Sequence, residues 1–229
     1  MLIWTDIIAL VATGLVFSLG QFIQKKTGLI VLNPILFSMV LLIVIIQLSG
    51  WNYASYHHGA RYIEWLLKPA VVALGLPLYQ NLKTIKKQAI PILVSHSVGC
   101  ILALTSVILI ARSMHAPKAL ILSLAPKSVS SAFALGIAES IGGIPALAAA
   151  IAICIGLIGA LFAYPLLALM NIRNPISQSL SVGLAAHGIG TARSLQFSNR
   201  FAAFSTLAFI LNGILTSLLA PWLVKWLLG

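Results

Sequence analysis

Apolar runs long enough to cross a lipid bilayer recur from one end of this chain to the other, and they limit its fold more than any other feature. A helix of about 18 or more apolar residues can span the hydrocarbon core. The 229 residues include only three carboxylates, Asp6, Glu64 and Glu139, and 7% of the residues are charged. Soluble domains usually carry about 25% charged residues. The chain is therefore predicted to reside in a lipid bilayer.

The predicted fold class is all-α: a polytopic helical membrane protein with about six spanning helices plus two broken or re-entrant segments. Backbone polar groups inside hydrocarbon must be satisfied by helices or closed barrels. Runs of this length without period-two alternation favour helices. Because no polar linker divides the chain, residues 1–229 are predicted to form a single transmembrane domain. The six predicted spans are Leu2 to Ile23, Pro34 to Leu48, Tyr62 to Tyr79, Ala89 to Ala111, Ile144 to Met170, and Phe201 to Leu228.

The formal charge of +11 comes from 14 basic and 3 acidic residues. On a soluble protein this excess would suggest nucleic acid, but basic residues in short loops follow from the positive-inside rule. No nucleic-acid partner is predicted. If the first helix runs from outside to inside, most basic residues face the cytoplasm, and both termini are predicted to be periplasmic. The cytoplasmic set is Lys25, Lys26, Lys83, Lys86, Lys87, Arg173, Arg193 and Arg200.

This orientation requires two apolar stretches, 119–138 and 176–192, each to enter and leave the membrane on one side. Both are interrupted by Pro, Gly or Ser. The first would enter from outside after the fourth spanning helix, and the second from inside after the fifth. Opposed broken segments of this kind often mark a transporter's binding site. The alternative is that both stretches cross fully, which gives eight helices and places the Arg173 loop outside.

The first broken stretch contains Pro126-Lys127-Ser128-Val129-Ser130. Pro126 predicts the end of one helix, and the serines suit the N-cap of the next. Free N–H groups at a helix N-terminus bind anions, and Lys127 adds a full positive charge. Lys127, Ser128 and Ser130 are therefore predicted to bind an anionic substrate. The alternative is a lysine that reaches the interface beside a polar turn.

The second broken stretch contains His187-Gly188-Ile189-Gly190-Thr191-Ala192-Arg193. Gly188 and Gly190 permit a tight turn and a close approach of the backbone to a ligand. Thr191 and Arg193 supply donors, and the guanidinium can hold both oxygens of a carboxylate. These residues and His187 are predicted to complete the substrate site. Alternatively, Arg193 is an ordinary arginine of a cytoplasmic loop, and His187 only packs against its neighbours.

Glu64 and Lys68 stand four residues apart and are predicted to form an ion pair with a coupling or structural role. Pro69 and Pro77 are expected to kink or unwind the same helix. Small residues on the fifth span let neighbouring helices approach closely. The chain has no Walker sequence, HExxH or nucleophile-elbow motif. No catalytic residue, cofactor or metal site is predicted, and the chain is not expected to be an enzyme.

Five ordered motifs resemble the LrgB/CidB family of antiholin-like, autolysis-modulating membrane proteins, and the chain looks especially like its gamma-proteobacterial inner-membrane members. The chain is also similar to the LrgB domain of the plastid glycolate/glycerate translocator. The motifs are Leu32-Asn33-Pro34, Leu67-Lys68-Pro69-Ala70-Val71-Val72-Ala73-Leu74, Pro126-Lys127-Ser128-Val129, Ser140-Ile141-Gly142-Gly143-Ile144-Pro145-Ala146 and His187-Gly188-Ile189-Gly190-Thr191-Ala192-Arg193.

The resemblance implies a location in the bacterial inner membrane and a small membrane partner of the LrgA/CidA type. It links the chain to control of murein hydrolases and lysis, and related proteins move small carboxylates such as pyruvate. With the residues above, it favours passage of a small organic anion, namely a monocarboxylate. The alternative is an antiholin-like modulator of a holin-like partner. Substrate, coupling ion, direction of flux and a homo-oligomeric state remain open.

Overall fold

A computed structural model describes residues 4–28 and 32–229, apart from the side chains of residues 64, 67, 68, 70 and 71. The described residues form eleven helices and no strand, which confirms the all-α prediction. The helices are α1 (Trp4–Thr27), α2 (Pro34–Ser49), α3 (Tyr53–Ala73), α4 (Gly75–Gln80), α5 (Leu82–Lys87), α6 (Ala89–Ser113), α7 (Lys118–Leu124), α8 (Ser131–Ile141), α9 (Pro145–Leu169), α10 (Pro175–Leu195) and α11 (Asn199–Leu228).

Four of the described helices, α1, α6, α9 and α11, are long and apolar enough to cross a membrane. Two others, α2 and α8, are apolar but shorter. Large apolar side chains stay exposed along these helices, for example Leu102 at 62% and Trp222 at 77%. Contact of so much apolar surface with water would be unfavourable, whereas lipid tails cover it favourably. The chain is a polytopic helical membrane protein, as predicted.

The predicted span from Tyr62 to Tyr79 is not one helix. α3 begins at Tyr53, ends at Ala73 and contains Pro69, and the short helix α4 follows. A proline ring clashes with the carbonyl group four residues earlier, so Pro77 cannot continue a helix that includes Ala73. The predicted break therefore arises at Pro77, whereas Pro69 is accommodated inside α3.

The chain divides into two compact units, and the first comprises residues 1–73. Here α1 packs against α2 and α3. Gly59 lets α3 approach the backbone of Asp6, because a Cβ at Gly59 would lie 2.8 Å from the Cα of Asp6. The Asp6 side chain is buried, and one of its oxygens lies 2.8 Å from Nδ1 of His58.

The second unit comprises residues 74–229 and contains α6 and α11 as two parallel helices. The Sγ atom of Cys100 lies 3.3 Å from Oγ1 of Thr216. Nearer the C-terminal ends of both helices, Arg112 donates a hydrogen bond to the carbonyl oxygen of Leu227 at 2.6 Å. Both helices therefore run in the same direction.

α7 and α8 form a helical hairpin, called the α7–α8 hairpin below. Lys118, where α7 begins, and Ile141, where α8 ends, line one cavity with Val224 and Lys225 of α11. Both ends of the hairpin thus lie at the C-terminal end of α11. The turn between its helices, residues 125–130, points into the unit.

α10 folds back on itself at His187, where the backbone leaves helical geometry with φ 41° and ψ −135°. A Cβ at Gly190 would lie 2.6 Å from Cβ of Ala186 and 2.8 Å from Cγ1 of Val182. In a continuous helix, residues 182 and 190 are about 12 Å apart along the axis. The segments before and after His187 are therefore two packed arms, called the α10 hairpin below.

Both ends of the α10 hairpin lie at the N-terminal end of α11. Ile176, near its start, packs in a cluster with Phe204. Ser194, near its end, lies 2.7 Å from the hydroxyl of Tyr164, and the Tyr164 ring contacts Phe201. The two broken segments therefore enter this unit from opposite ends. That they enter from opposite faces of the membrane stays a prediction.

Candidate functional site

The two hairpins meet at Asn212, whose side chain is 2% exposed near the middle of α11. Its Nδ2 donates to the carbonyl oxygen of Ser128 at 2.9 Å and to that of Leu184 at 3.0 Å. Ser128 belongs to the turn of the α7–α8 hairpin, and Leu184 lies three residues before the break at His187. One amide group therefore joins the tips of both hairpins.

The orientation of the Asn212 amide follows from its surroundings. An amide nitrogen has two protons to donate, and here both acceptors are carbonyl oxygens. The reversed orientation would place oxygen against oxygen with no proton between them. On the other side, Oδ1 accepts a hydrogen bond from Thr216 at 3.4 Å, and Thr216 lies beside Cys100 of α6. α6, α11 and both hairpin tips thus converge on one polar network.

Lys127 lies in the turn of the α7–α8 hairpin, where its side chain is half-buried. Its ammonium group donates to Oγ of Ser128 at 2.9 Å. Among the residues that the structure describes, no carboxylate pairs with Lys127. A partly desolvated cation without a counter-charge is costly, and a bound anion would offset that cost.

Ser130 occupies the N-cap position of α8 with an extended backbone, φ −65° and ψ 156°. The expected capping is not formed, because the Ser130 side chain makes no capping hydrogen bond. The hydroxyl of Ser128 instead accepts from Lys127. The first-turn N–H groups of α8 therefore keep their capacity to donate to an anion close to that lysine.

His187 forms the tip of the α10 hairpin and is 3% exposed. Its Nε2 lies 2.9 Å from the carbonyl oxygen of Ala152 on α9, so the protonated nitrogen donates to that oxygen. The ring also lies so close to Gly156 that a Cβ there would be 2.6 Å from it. These contacts hold His187 in a backbone conformation that usually costs a non-glycine residue about 1–3 kcal/mol.

Gly188 and Gly190 differ in their surroundings, and neither has the positive φ that a tight glycine turn would need. The sequence pattern placed that conformation on the glycines, whereas His187 adopts it. A Cβ at Gly188 would meet nothing within 4 Å, while one at Gly190 would press on the other arm of the hairpin. Gly190 therefore serves the packing of the two arms.

Small residues on α9 let the α10 hairpin pack closely against it, which is the close approach of a neighbouring element that the sequence predicted for this span. Gly156 accommodates the ring of His187, and Gly159 accommodates the side chain of Ala186, which a Cβ at Gly159 would overlap. Close approach of backbones at small residues is a common way of packing membrane helices. The tip of the hairpin is thereby fixed against α9.

Thr191 connects the second arm of the α10 hairpin to α11. Its hydroxyl donates to the carbonyl oxygen of His187 at 3.0 Å and lies 3.0 Å from Oγ of Ser205. Thr191 and Ser205 are fully buried. This contact holds the second arm against α11, so Thr191 helps to position the tip of the hairpin.

Arg193 lies nearer the base of the α10 hairpin than its tip. The guanidinium donates to Oε1 of Gln196, and its carbon lies 5.1 Å from the centre of the Phe197 ring. Arg193 is half-buried, in a helix end that lies at the N-terminal end of α11. The structure thus places Arg193 at the entrance to the α10 hairpin, and Lys127 in the turn of the other hairpin.

Glu64 and Lys68 lie on α3 in the first unit. Their side chains are outside the part of the chain that the structure describes. The predicted ion pair between them stays a prediction.

The sequence interpretation missed Asn212. An amide in the middle of a long apolar span is the available signal, since polar groups at membrane depth are costly and need partners. The partners could not be identified from the sequence, because Ser128 and Leu184 are 84 and 28 residues away.

Comparison with known proteins identifies a family and two similar relatives. The model of the LrgB-like family matches residues 13–226. The antiholin-like protein LrgB of Bacillus subtilis (strain 168) is 33% identical over 93% of each chain. The holin-like protein CidB of Staphylococcus epidermidis is 30% identical over 95% of each chain. No solved structure is significantly similar to this chain.

Proposed function

The chain belongs to the LrgB-like family, and we propose that it carries a small monocarboxylate such as pyruvate or glycolate across the bacterial inner membrane together with an LrgA-type partner. One observation supports this proposal above the others. Two helical hairpins enter their unit from opposite ends and meet at Asn212, with Lys127 next to the meeting point. Broken helices that meet within the membrane are typical of transporter binding sites.

The charge at Lys127 favours an anion as the substrate. Its ammonium group has a hydroxyl partner, Ser128, and the N-terminus of α8 begins three residues later. A carboxylate placed here would receive a charge-assisted hydrogen bond from Lys127 and others from first-turn N–H groups. The hairpin tips are already within hydrogen-bond reach of Asn212, so the proposed substrate is small.

Arg193 has a different task in this proposal. From the base of the α10 hairpin its planar guanidinium would gather the carboxylate at the entrance, while Lys127 acts at the tip. Ser130, His187, Gly188, Gly190 and Thr191 would shape the path. Glu64 and Lys68 are proposed as an ion pair with a coupling or structural role.

The names of the relatives favour a second function. Relatives called antiholin-like and holin-like suggest a protein that modulates a small holin-like membrane partner and affects murein hydrolase activity and lysis. If the chain has this second function, the two hairpins would change conformation in response to the partner, and the chain need not transport a solute.

Uptake of labelled pyruvate and glycolate separates the two functions. Cells that lack the chain are compared with cells that express it, in the presence and absence of the LrgA-type partner. We expect uptake with the wild-type chain and a loss of about tenfold or more in Lys127→Ala, because hydrogen bonds to charged groups contribute about 1.5–3 kcal/mol.

The matched control is Lys118→Ala, which removes an exposed lysine at the base of the same hairpin. Lys118→Ala should transport normally. If cells with and without the wild-type chain take up both substrates equally while their lysis differs, the modulator function is correct and the transport proposal is wrong.

A further inference from the structure

We propose that Asn212 is a latch that fastens the tips of the α7–α8 hairpin and the α10 hairpin to each other, and that a carboxylate releases both tips by taking over the amide protons. The first part follows from the geometry of the polar network. The second part rests on the proposed transport function. Asn212 is thus a positioning residue for the two tips.

The latch depends on the use of both amide protons. One proton goes to each hairpin, with donor–acceptor distances of 2.9 Å to Ser128 and 3.0 Å to Leu184. Such a hydrogen bond weakens steeply once the distance grows beyond about 3.2–3.5 Å. A shift of either tip by about half an ångström therefore affects the shared group, and the tips cannot move independently while both bonds persist.

Both acceptors are carbonyl groups at places where regular helical hydrogen bonding is interrupted. Ser128 lies in a turn, and Leu184 lies in the last helical turn before the break at His187, where carbonyl groups lose their intrahelical donors. A buried carbonyl without a donor is costly. The Asn212 side chain satisfies both groups, and an apolar side chain of the same size would leave both without this donor.

The same two protons suit a carboxylate. An ionised acceptor forms shorter and stronger hydrogen bonds than a neutral carbonyl group. Lys127 directly precedes Ser128, so an anion attracted by Lys127 arrives beside one of the two acceptors. The anion then competes with both carbonyl oxygens for the amide, and its binding loosens both tips together.

Hydrogen–deuterium exchange of the full chain in lipid nanodiscs tests the latch directly. In Asn212→Leu we expect the amides of residues 125–130 and 184–190 to exchange at least about tenfold faster than in the wild type, with α9 unchanged. The matched control is Ser217→Ala on the same helix, whose hydroxyl bonds only to the carbonyl oxygen of Gly213 among the described contacts. It should leave both tips protected.

Unchanged exchange at either tip in Asn212→Leu overturns the latch. If Asn212→Leu exchanges faster throughout, Asn212→Asp, which has the same shape without amide protons, is compared with the wild type. Acceleration confined to both tips then supports the latch, and acceleration at one tip or at neither overturns it.

Wild-type protein with saturating pyruvate or glycolate tests the release. Faster exchange at both tips together supports it, and faster exchange at one tip alone contradicts a shared latch. If Asn212→Leu frees both tips while neither carboxylate changes the wild type, the latch is upheld, whereas its release by a carboxylate and the transport function are wrong.

Discussion

Two glycines that stand two residues apart in the α10 hairpin should respond in opposite directions to the same substitution. In Gly190→Ala, the new Cβ would lie 2.6 Å from Cβ of Ala186 and 2.8 Å from Cγ1 of Val182. Carbon atoms in favourable contact are about 3.5–4.0 Å apart. The two arms must therefore separate by about 1 Å. In Gly188→Ala, the new Cβ meets nothing within 4 Å.

The expected difference in stability follows from these distances. Overpacking of a well-packed interior costs about 1–3 kcal/mol. Replacing a helical glycine by alanine without a clash gains roughly 0.5–1 kcal/mol. The two variants should therefore differ by roughly 1.5–4 kcal/mol in the free energy of unfolding. For a chain of this size that corresponds to roughly 3–16 °C in the melting temperature.

Thermal melting of the detergent-solubilised variants, followed by tryptophan fluorescence, measures this difference. Gly190→Ala should melt below the wild type, and Gly188→Ala at or above it. If the two variants melt within about 2 °C of each other, Gly190 does not pack against Val182, and α10 does not fold back at His187.

Two further predictions concern charge. Arg193→Lys keeps the positive charge but loses the planar fork of the guanidinium, so uptake should fall clearly while membrane insertion stays normal. The same change at the exposed Arg173 should have little effect on uptake. Normal uptake in both Arg193→Lys and Arg193→Ala would mean that the arginine only anchors the topology. In Lys86→Cys, the new thiol should be labelled from the cytoplasm and not from the periplasm of intact cells, since the positive-inside rule places Lys86 and Lys87 in the cytoplasm. Labelling from the periplasm would reverse the proposed orientation.

The fold class and the two interruptions could be predicted from the sequence because both depend on local properties. Long apolar runs with few charges require helices in lipid. Pro126 and the glycines beside His187 lower the stability of a continuous helix at those positions. The structure has its breaks at these two places. Charge balance, which is also readable from the sequence, predicts that each segment enters and leaves the membrane on one side.

The interior of the site could not be predicted in this way, because it depends on contacts between distant residues. The sequence around Asn212 contains no pattern that predicts Ser128 or Leu184 as its hydrogen-bond acceptors. The positive φ at His187 contradicts the local preference for glycine, and only the contacts with Ala152 and Gly156 on α9 explain it. Likewise, Arg193 lies at the base of its hairpin because the chain folds back six residues earlier.

Labelling of single cysteines from the two sides of the membrane tests the central claim, that two hairpins enter the membrane from opposite faces. In a Cys154→Ala background, which removes the exposed native thiol, cysteines replace four exposed residues, Met114 and Ser140 around the α7–α8 hairpin and Ser177 and Asn199 around the α10 hairpin. We predict that cysteines at Met114 and Ser140 are labelled from one side of the membrane, and those at Ser177 and Asn199 from the other. Labelling of the two members of either pair from opposite sides would show that the segment crosses the membrane, and would contradict the opposed hairpins.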